Sequence, residues 1–336
     1  MFLCKKGNGV NSRVKLIILC CVCIWTLIIV SKLIIHNQPE LTQKMDKSEE
    51  IPKLFVDDDS RNLPLIFIGG HQSSGTGLLR ILLDVHPMIR CGPEPIVTRE
   101  ILELRRRNTQ KRDWLSQSGI TENLLDKAVS GFIVSILKDM GPPADRLCHK
   151  DPSSYIYLSD LGELFPKAKF IHAVRDGRGA IMSTIVRNIN PKYTSDDILG
   201  ALDQWKSFTS QIIKDCQHIG SHRCMTVRYE CLVINPKREI QKILNFLDIP
   251  WDDKLLNHEQ FINNTSMINK YEASSVQFVK PIHKESLDAW SKINSIIPRN
   301  LIETMHKNNS LLAKLGYNSE KIPPNYEEIC EVDLKL

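Results

Sequence analysis

Apolar and polar positions fall in blocks along the chain. Leu16–Val30 is an uninterrupted apolar run, followed by Ser31, Lys32 and then Leu33, Ile34 and Ile35. With Lys32 snorkelling toward the headgroups, residues 16–35 are expected to cross a hydrocarbon core of ~30 Å as a transmembrane signal-anchor. A cleaved signal peptide is the alternative, but no small-x-small cleavage site is obvious. Residues 36–62 are polar and mixed in charge, with Pro39, Pro52 and an Asp57–Asp59 run, and read as a stem. Residues 64–70 (PLIFIGG) form a short apolar run ended by two glycines, a buried strand entering a turn. Leu78, Leu79, Leu82 and Leu83 then give the 3.6-residue period of a helix over 78–85. Further helices are predicted over 101–107 and 122–138, the second with Thr121 as N-cap. A strand is expected at 169–174 (KFIHAV), a helix at 180–186, a long helix at 196–220 and a third strand at 224–229 (CMTVRY). A helix with Ile240, Ile243, Leu244 and Leu247 follows Asn235. Strands alternating with longer helices predict an α/β fold, a parallel sheet flanked by helices. The tail after Gly316 is Pro-rich and reads as surface chain without regular structure.

The formal net charge of the 336 residues is +5. Lys5, Lys6, Arg13 and Lys15 carry four of those charges, with no acid before Glu40, so residues 16–336 retain only +1. Bulk charge therefore points to no nucleic-acid partner. The basic residues precede the span, so the positive-inside rule leaves residues 1–15 as a cytoplasmic tail and the rest lumenal, a single-pass type II arrangement. Of ten cysteines, Cys4, Cys20, Cys21 and Cys23 lie in or before the span. The other six, Cys91, Cys148, Cys216, Cys224, Cys231 and Cys330, form no CxxC pair. An oxidising lumen permits disulfides among them, with connectivity open. Asn263, Asn264 and Asn308 head N-glycosylation triplets. His71, His86, His149 and His172 are scattered, and no metal motif occurs.

The sharpest local feature is the stretch from Gly70 through Gly75 and Thr76, between the predicted strand and helix. The two glycines have Walker A spacing, and a loop of backbone N–H groups running into a helix N-terminus favours phosphate. The Lys that would precede Thr76 is absent, so nucleoside triphosphate hydrolysis is not indicated.

With LLDVHP-x-x-RCG-x-E, LCHKDP, LFPKAKF, VRDGR, VRYE, a late KP and PPNY, this stretch resembles the protein-tyrosine sulfotransferases. The resemblance covers roughly residues 63–326 and implies a P-loop-like sulfotransferase fold, with 327–336 as a C-terminal tail. It implies a Golgi membrane enzyme, commonly a homodimer, that moves sulfuryl from 3′-phosphoadenosine 5′-phosphosulfate (PAPS) to tyrosines of secreted and membrane proteins, with no metal required. Carried over by position, Ser73, Ser74, Gly75, Thr76 and Gly77 would hold the 5′-phosphosulfate. Arg175, Ser183 and Arg187 match 3′-phosphate ligands, Tyr229 a cofactor contact, and Ser274 and Lys280 residues that close over the cofactor. Glu94 matches the catalytic base and Lys150 the lysine that steadies the transferring group. Cys91 with Cys148 and Cys216 with Cys224 match the family's disulfides. A tyrosine hydroxyl has a pKa of about 10, so a base such as Glu94 is needed during attack.

The chain departs from the family pattern at two loops. Ser73 stands where the family carries arginine, and Gly77 where it carries a second threonine. Gln72 or His71 would have to compensate. Ile96 and Glu100 replace arginines that read acidic residues around the acceptor tyrosine, leaving Arg99 as the nearest substitute. A glycan acceptor, or a non-catalytic nucleotide-binding role, is the alternative reading.

Overall fold

Five strands, β1 (Ile66–Gly70), β2 (Ile89–Cys91), β3 (Arg146–Lys150), β4 (Lys169–Val174) and β5 (Cys224–Arg228), form one sheet in the order β2-β3-β1-β4-β5. Every pairing is parallel. The computed structural model of the chain describes residue 25 and residues 60–262, 268–269, 271–272, 280–308, 310–319 and 321–334. Two compact units divide the chain, Met1–Phe55 and Val56–Leu336, and every described residue except Trp25 belongs to the second.

Both faces of the sheet are covered, as a parallel sheet requires. Alternate residues of β1 enter opposite layers. Leu65, just before the strand, and Phe67 pack with Leu102 of α2 (Val97–Thr109) and Val129, Ile133 and Leu137 of α3 (Glu122–Asp139). Ile66 and Ile68 pack with Leu79, Leu82 and Leu83 of α1 (Thr76–Asp84) and with Ile243 and Leu244 of a later helix, Pro236–Leu247. The apolar stripe read at 78–83 is thus the inner face of α1. Thr121 caps α3 by accepting from the Leu124 N–H at 3.2 Å.

Two strands were absent from the sequence reading. β2 and β3 contain Arg90, Arg146, His149 and Lys150, so they show no apolar run. Tertiary partners satisfy these groups instead. Arg90 donates to the Leu137 carbonyl at 2.7 Å, and His149 Nε2 pairs with Thr98 Oγ1 at 2.8 Å. Cys91 and Cys148 are register partners on β2 and β3 and are disulfide-bonded. Cys216–Cys224 ties α5 (Ile198–Ile219) to the start of β5. A third bridge, Cys231–Cys330, staples α6 (Tyr229–Ile234) to α7 (Tyr326–Cys330).

That third bridge corrects the expectation of an unstructured tail. Tyr317, Tyr326 and Cys330 are buried. Arg178 lies in α4 (Gly177–Val186), between the sheet and the tail, and donates to Asp176 Oδ2 at 2.7 Å and to the Tyr317 carbonyl at 2.8 Å. The Tyr326 hydroxyl donates to Asp176 at 3.0 Å, and the Tyr317 hydroxyl to Glu230 at 2.7 Å. The tail is therefore locked under the end of β4 by buried, paired polar groups.

Among the described residues no helix is long and apolar enough to cross a membrane. The 22-residue α5 carries Asp203, Lys206, Lys214 and Asp215 and is amphipathic. The expected transmembrane helix, with the membrane anchoring, type II signal-anchor and Golgi membrane location that rested on it, is corrected to that extent: no described helix supplies it. The segment concerned, residues 16–35, lies outside the described residues apart from Trp25.

Candidate active site

All five strands deliver a candidate site residue where they end, the usual ligand edge of a parallel sheet. β1 leads into the Gly70–Gly75 loop, β2 is followed by Glu94, β3 ends on Lys150, β4 is followed by Arg175, and β5 by Tyr229. A cavity of about 520 Å³ opens there, lined among others by Ser73, Gly75, Glu94, Arg175, Arg187, Tyr229, Glu272 and Lys280. A larger cavity of about 720 Å³ runs along the outer edge of β5. It lies away from these strand ends and gathers none of these residues.

Glycine is required at two points of the loop. At Gly70 (φ 148°) a Cβ would lie 2.2 Å from the Ala173 carbonyl. At Gly75 (φ 89°) it would lie 2.3 Å from the Tyr229 ring. Gly75 is the N-cap of α1 and contributes no side-chain cap. The first-turn N–H groups of α1 therefore keep their capacity for an anion. The Ser74 N–H is spent within the turn on the His71 carbonyl at 3.1 Å, while its buried hydroxyl has no partner among the described residues.

Two arginines meet this loop from β4 and α4. Arg175 donates to the Ser73 carbonyl at 3.0 Å and to the Ser286 carbonyl at 2.7 Å, and its guanidinium stacks 4.6 Å from the Tyr229 ring centre. Arg187 donates from Nη2 to Ser73 Oγ at 2.8 Å, and its buried Nη1 has no hydrogen-bond partner among the described residues. Thr184 Oγ1 gives its proton to the Ala180 carbonyl at 2.8 Å, so at 2.9 Å the Ser73 hydroxyl donates to Thr184 and accepts from Arg187. No carboxylate pairs with either arginine among the described residues. Burial, and then the like charge of Arg175, lower the pKa of Arg187 to about 10. Arg178 of the same motif is different, because Asp176 neutralises it and it serves the tail. Two cations held together without an ion-paired carboxylate among the described residues fit a phosphorylated ligand.

Glu94 and Lys150 meet across the sheet end. The Lys150 ammonium, 1% exposed, donates to Glu94 Oε1 and lies 3.5 Å from Glu272 Oε2. Glu272 Oε1 accepts the backbone N–H of Glu94 at 2.6 Å. Burial raises the pKa of Glu94. Lys150 opposes that shift, and the negative charges of Glu272 and Asp151 add to it. The Cys91–Cys148 bridge lies three residues before Glu94 and two before Lys150, so it fixes the strands that present the pair. Glu272 heads the EASS stretch in which only Ser274 was assigned a role, because an isolated acid in a loop carries no periodic signal. Ser286 had no signal either, yet it holds the Tyr229 hydroxyl at 2.6 Å.

Other expected residues do not converge. Ser183 offers its carbonyl to Arg187 Nε at 3.2 Å and does not line the cavity. Arg99 is exposed and also off the cavity, which instead has Ile96, 67% exposed, at that rim. His71 does not replace the missing loop charge. Its Nδ1 donates to the Gln72 carbonyl at 2.7 Å, so Nε2 accepts from the Tyr193 hydroxyl at 2.8 Å. Burial lowers its pKa to about 4, and the ring is neutral. Ser274, Asn263, Asn264 and the Asn308 side chain lie outside the described residues.

Residues 64–253 match the model of the sulfotransferase family. Protein-tyrosine sulfotransferase A of Caenorhabditis elegans is 38% identical over 271 residues, 80% of this chain and 70% of that protein. The protein-tyrosine sulfotransferase of Drosophila melanogaster is 38% identical over 301 residues, 85% of this chain and 59% of that protein. Among solved structures, the sulfotransferase domain from the Synechococcus PCC 7002 olefin synthase is similar with a TM-score of 0.47 and 21% identity, covering 74% of this chain and 96% of that one.

Proposed function

Because this chain belongs to the protein-tyrosine sulfotransferase family, we propose that the cavity at the strand ends transfers a sulfuryl group from PAPS to the hydroxyl of tyrosine residues in proteins. The products are tyrosine O-sulfate and adenosine 3′,5′-bisphosphate. The observation that carries this reading is that one cavity is lined by Glu94, which is ion-paired to the buried Lys150 behind it, and by Arg175 and Arg187, which have no carboxylate ion pair among the described residues. PAPS, when bound, supplies the sulfuryl group and a phosphate leaving group.

The residues divide the remaining work. Arg175 and Arg187, with the first-turn N–H groups of α1, hold the phosphate oxygens. Tyr229, pinned by Ser286, supports Arg175 from below. Lys280, exposed at the rim, covers the nucleotide. Glu94 accepts the proton of the acceptor hydroxyl. Its raised pKa makes it a stronger base than an exposed carboxylate, and Lys150 keeps it ionised. Lys150 has three donors and stabilises charge that develops on the transferring group, in a site where water does not screen it.

The test is transfer of radiolabelled sulfate from PAPS to tyrosine peptides. Glu94→Gln and Lys150→Ala are each expected to lower kcat by roughly 10²–10⁴-fold while adenosine 3′,5′-bisphosphate still binds. Turnover indifferent to both substitutions would remove the assignment.

A further inference from the structure

Glu272 comes from a segment far from the sheet, 178 residues after Glu94 and 122 after Lys150. Its side chain is 5% exposed. One oxygen accepts the Glu94 N–H at 2.6 Å and the other faces the Lys150 ammonium at 3.5 Å. A single carboxylate thus holds the backbone of one residue of the pair and the charge of the other.

Two carboxylates around one buried ammonium exceed what neutralisation in the resting state needs. The surplus has a use during transfer. When Glu94 takes the acceptor proton it becomes neutral, and Lys150 loses that counter-charge. A buried ammonium without a partner is strongly disfavoured and tends to lose its proton or move. Glu272 does not share in the transfer and remains beside Lys150. We infer that Glu272 is a positioning residue, which fixes Glu94 through its backbone N–H and keeps Lys150 charged and in place while Glu94 is protonated. The inference rests on the transfer reading above.

The proton balance is closed within this cluster. The acceptor O–H bond breaks and its proton goes to Glu94. The freed oxygen bonds sulfur, and the bond from sulfur to the phosphate oxygen breaks with its electron pair left on phosphate. Lys150 and Glu272 gain and lose nothing. The charged groups facing Glu94 are Lys150 and Asp151 at the end of β3, and Glu272. Removing the charge of Glu272 removes a repulsion, so Glu94 then ionises at lower pH.

The experiment uses the full chain with Glu272→Gln, which keeps an acceptor for the Glu94 N–H but removes the charge. Carbon-13 NMR of glutamate-labelled protein follows the Glu94 carboxyl, assigned by its disappearance in Glu94→Gln. The Glu94 midpoint is expected to fall by about half a pH unit or more. In the transfer assay kcat is expected to fall about tenfold and KM for PAPS to stay within about twofold, with the acid limb of kcat/KM moved to lower pH. Glu272→Ala, which also frees the Glu94 N–H, is expected to lose about tenfold more. Retained binding of adenosine 3′,5′-bisphosphate shows that both variants fold. An unmoved Glu94 midpoint, or an unchanged kcat, in Glu272→Gln overturns the inference. A wild-type chain that transfers nothing to tyrosine would defeat the transfer reading instead, and the titration would still decide whether Glu272 governs Glu94.

Discussion

Arg187 donates a hydrogen bond to the Ser73 hydroxyl at 2.8 Å, across 114 residues of sequence. The family arginine is missing at position 73, and the loop meets a cation there all the same, brought in from the end of α4. Ser73 also holds Thr184, so one hydroxyl aligns Arg187 with the helix that carries it. Arg187→Ala is expected to weaken PAPS binding about 10–100-fold, the worth of a charge-assisted contact. Ser73→Ala should weaken it about 3–10-fold by releasing the guanidinium. Calorimetric titration with PAPS checks both, and wild-type affinity in Ser73→Ala would show that the hydroxyl does not orient Arg187.

Gly75→Ala is expected to lower PAPS affinity at least about tenfold. The new methyl group would strike the Tyr229 ring, 2.3 Å away, in a left-handed backbone that costs roughly 1–2 kcal/mol for an L-residue. Tyr229 would be pushed from beneath Arg175. Gly119→Ala is the control, because it shares the positive φ (79°) but meets nothing within 4 Å. Equal effects of the two on PAPS binding would refute the role of Tyr229.

Acid should destabilise the fold through three buried histidines. Burial lowers the pKa of His71 and His149 from 6.5 to about 4, and of His172 to about 3. The unfolded chain binds these protons near pH 6.5 and the folded chain does not. Their contribution is therefore fully present above pH 6.5, and is lost as pH falls through 4 and then 3, at roughly 3 kcal/mol each for His71 and His149 and roughly 5 kcal/mol for His172. Glu94 has the opposite sign. Its raised pKa favours the fold at low pH, and that share is lost as pH rises through it. Urea unfolding at pH 7.5 and 5 should show a clear loss on acidification, reduced in His172→Leu. A slope unaffected by that change would count against the histidines.

Cys231→Ser or Cys330→Ser should lower stability by about 2–5 kcal/mol, since the bridge closes a long loop of chain. Thermal melts under non-reducing conditions measure this. No change in melting temperature would mean that the polar contacts of Tyr317 and Tyr326 hold the tail unaided.

Ile96→Arg is expected to lower KM about 2–5-fold for peptides with acidic residues beside the tyrosine, and to leave neutral peptides unaffected. Ile96 is 67% exposed at the cavity rim, while Arg99 is exposed and does not line the cavity. A comparison of matched acidic and neutral peptides gives the answer. An equal change for both would assign Ile96 no part in reading charge.

The sequence announces those parts of the fold that burial alone decides. β1, β4 and β5 are apolar runs because helices cover both sheet faces, and α1 shows its inner stripe in four leucines. β2 and β3 stay hidden because their polar residues are satisfied by Leu137, Thr98 and Glu94, partners that only the folded chain supplies. Glu94, Lys150 and Arg175 were readable from the motifs around them. The resemblance separated Arg175 from Arg178, and the fold supplies the physical reason, since Asp176 closes on Arg178 only. Glu272 and Ser286 act through long-range tertiary contacts, and no spacing rule encodes those.

The lock between Arg178, Asp176, Tyr317 and Tyr326 sets an order of events during synthesis. Arg175, Asp176 and Arg178 leave the ribosome about 150 residues before Tyr326 does. Until then Asp176 lacks the Tyr326 hydroxyl that donates to it, and the turn that aims Arg175 lacks part of its floor. The nascent chain can assemble its sheet early, but the nucleotide pocket becomes rigid only when the tail arrives. A ribosome stalled before residue 326 would therefore display a nearly complete domain that does not yet grip its cosubstrate.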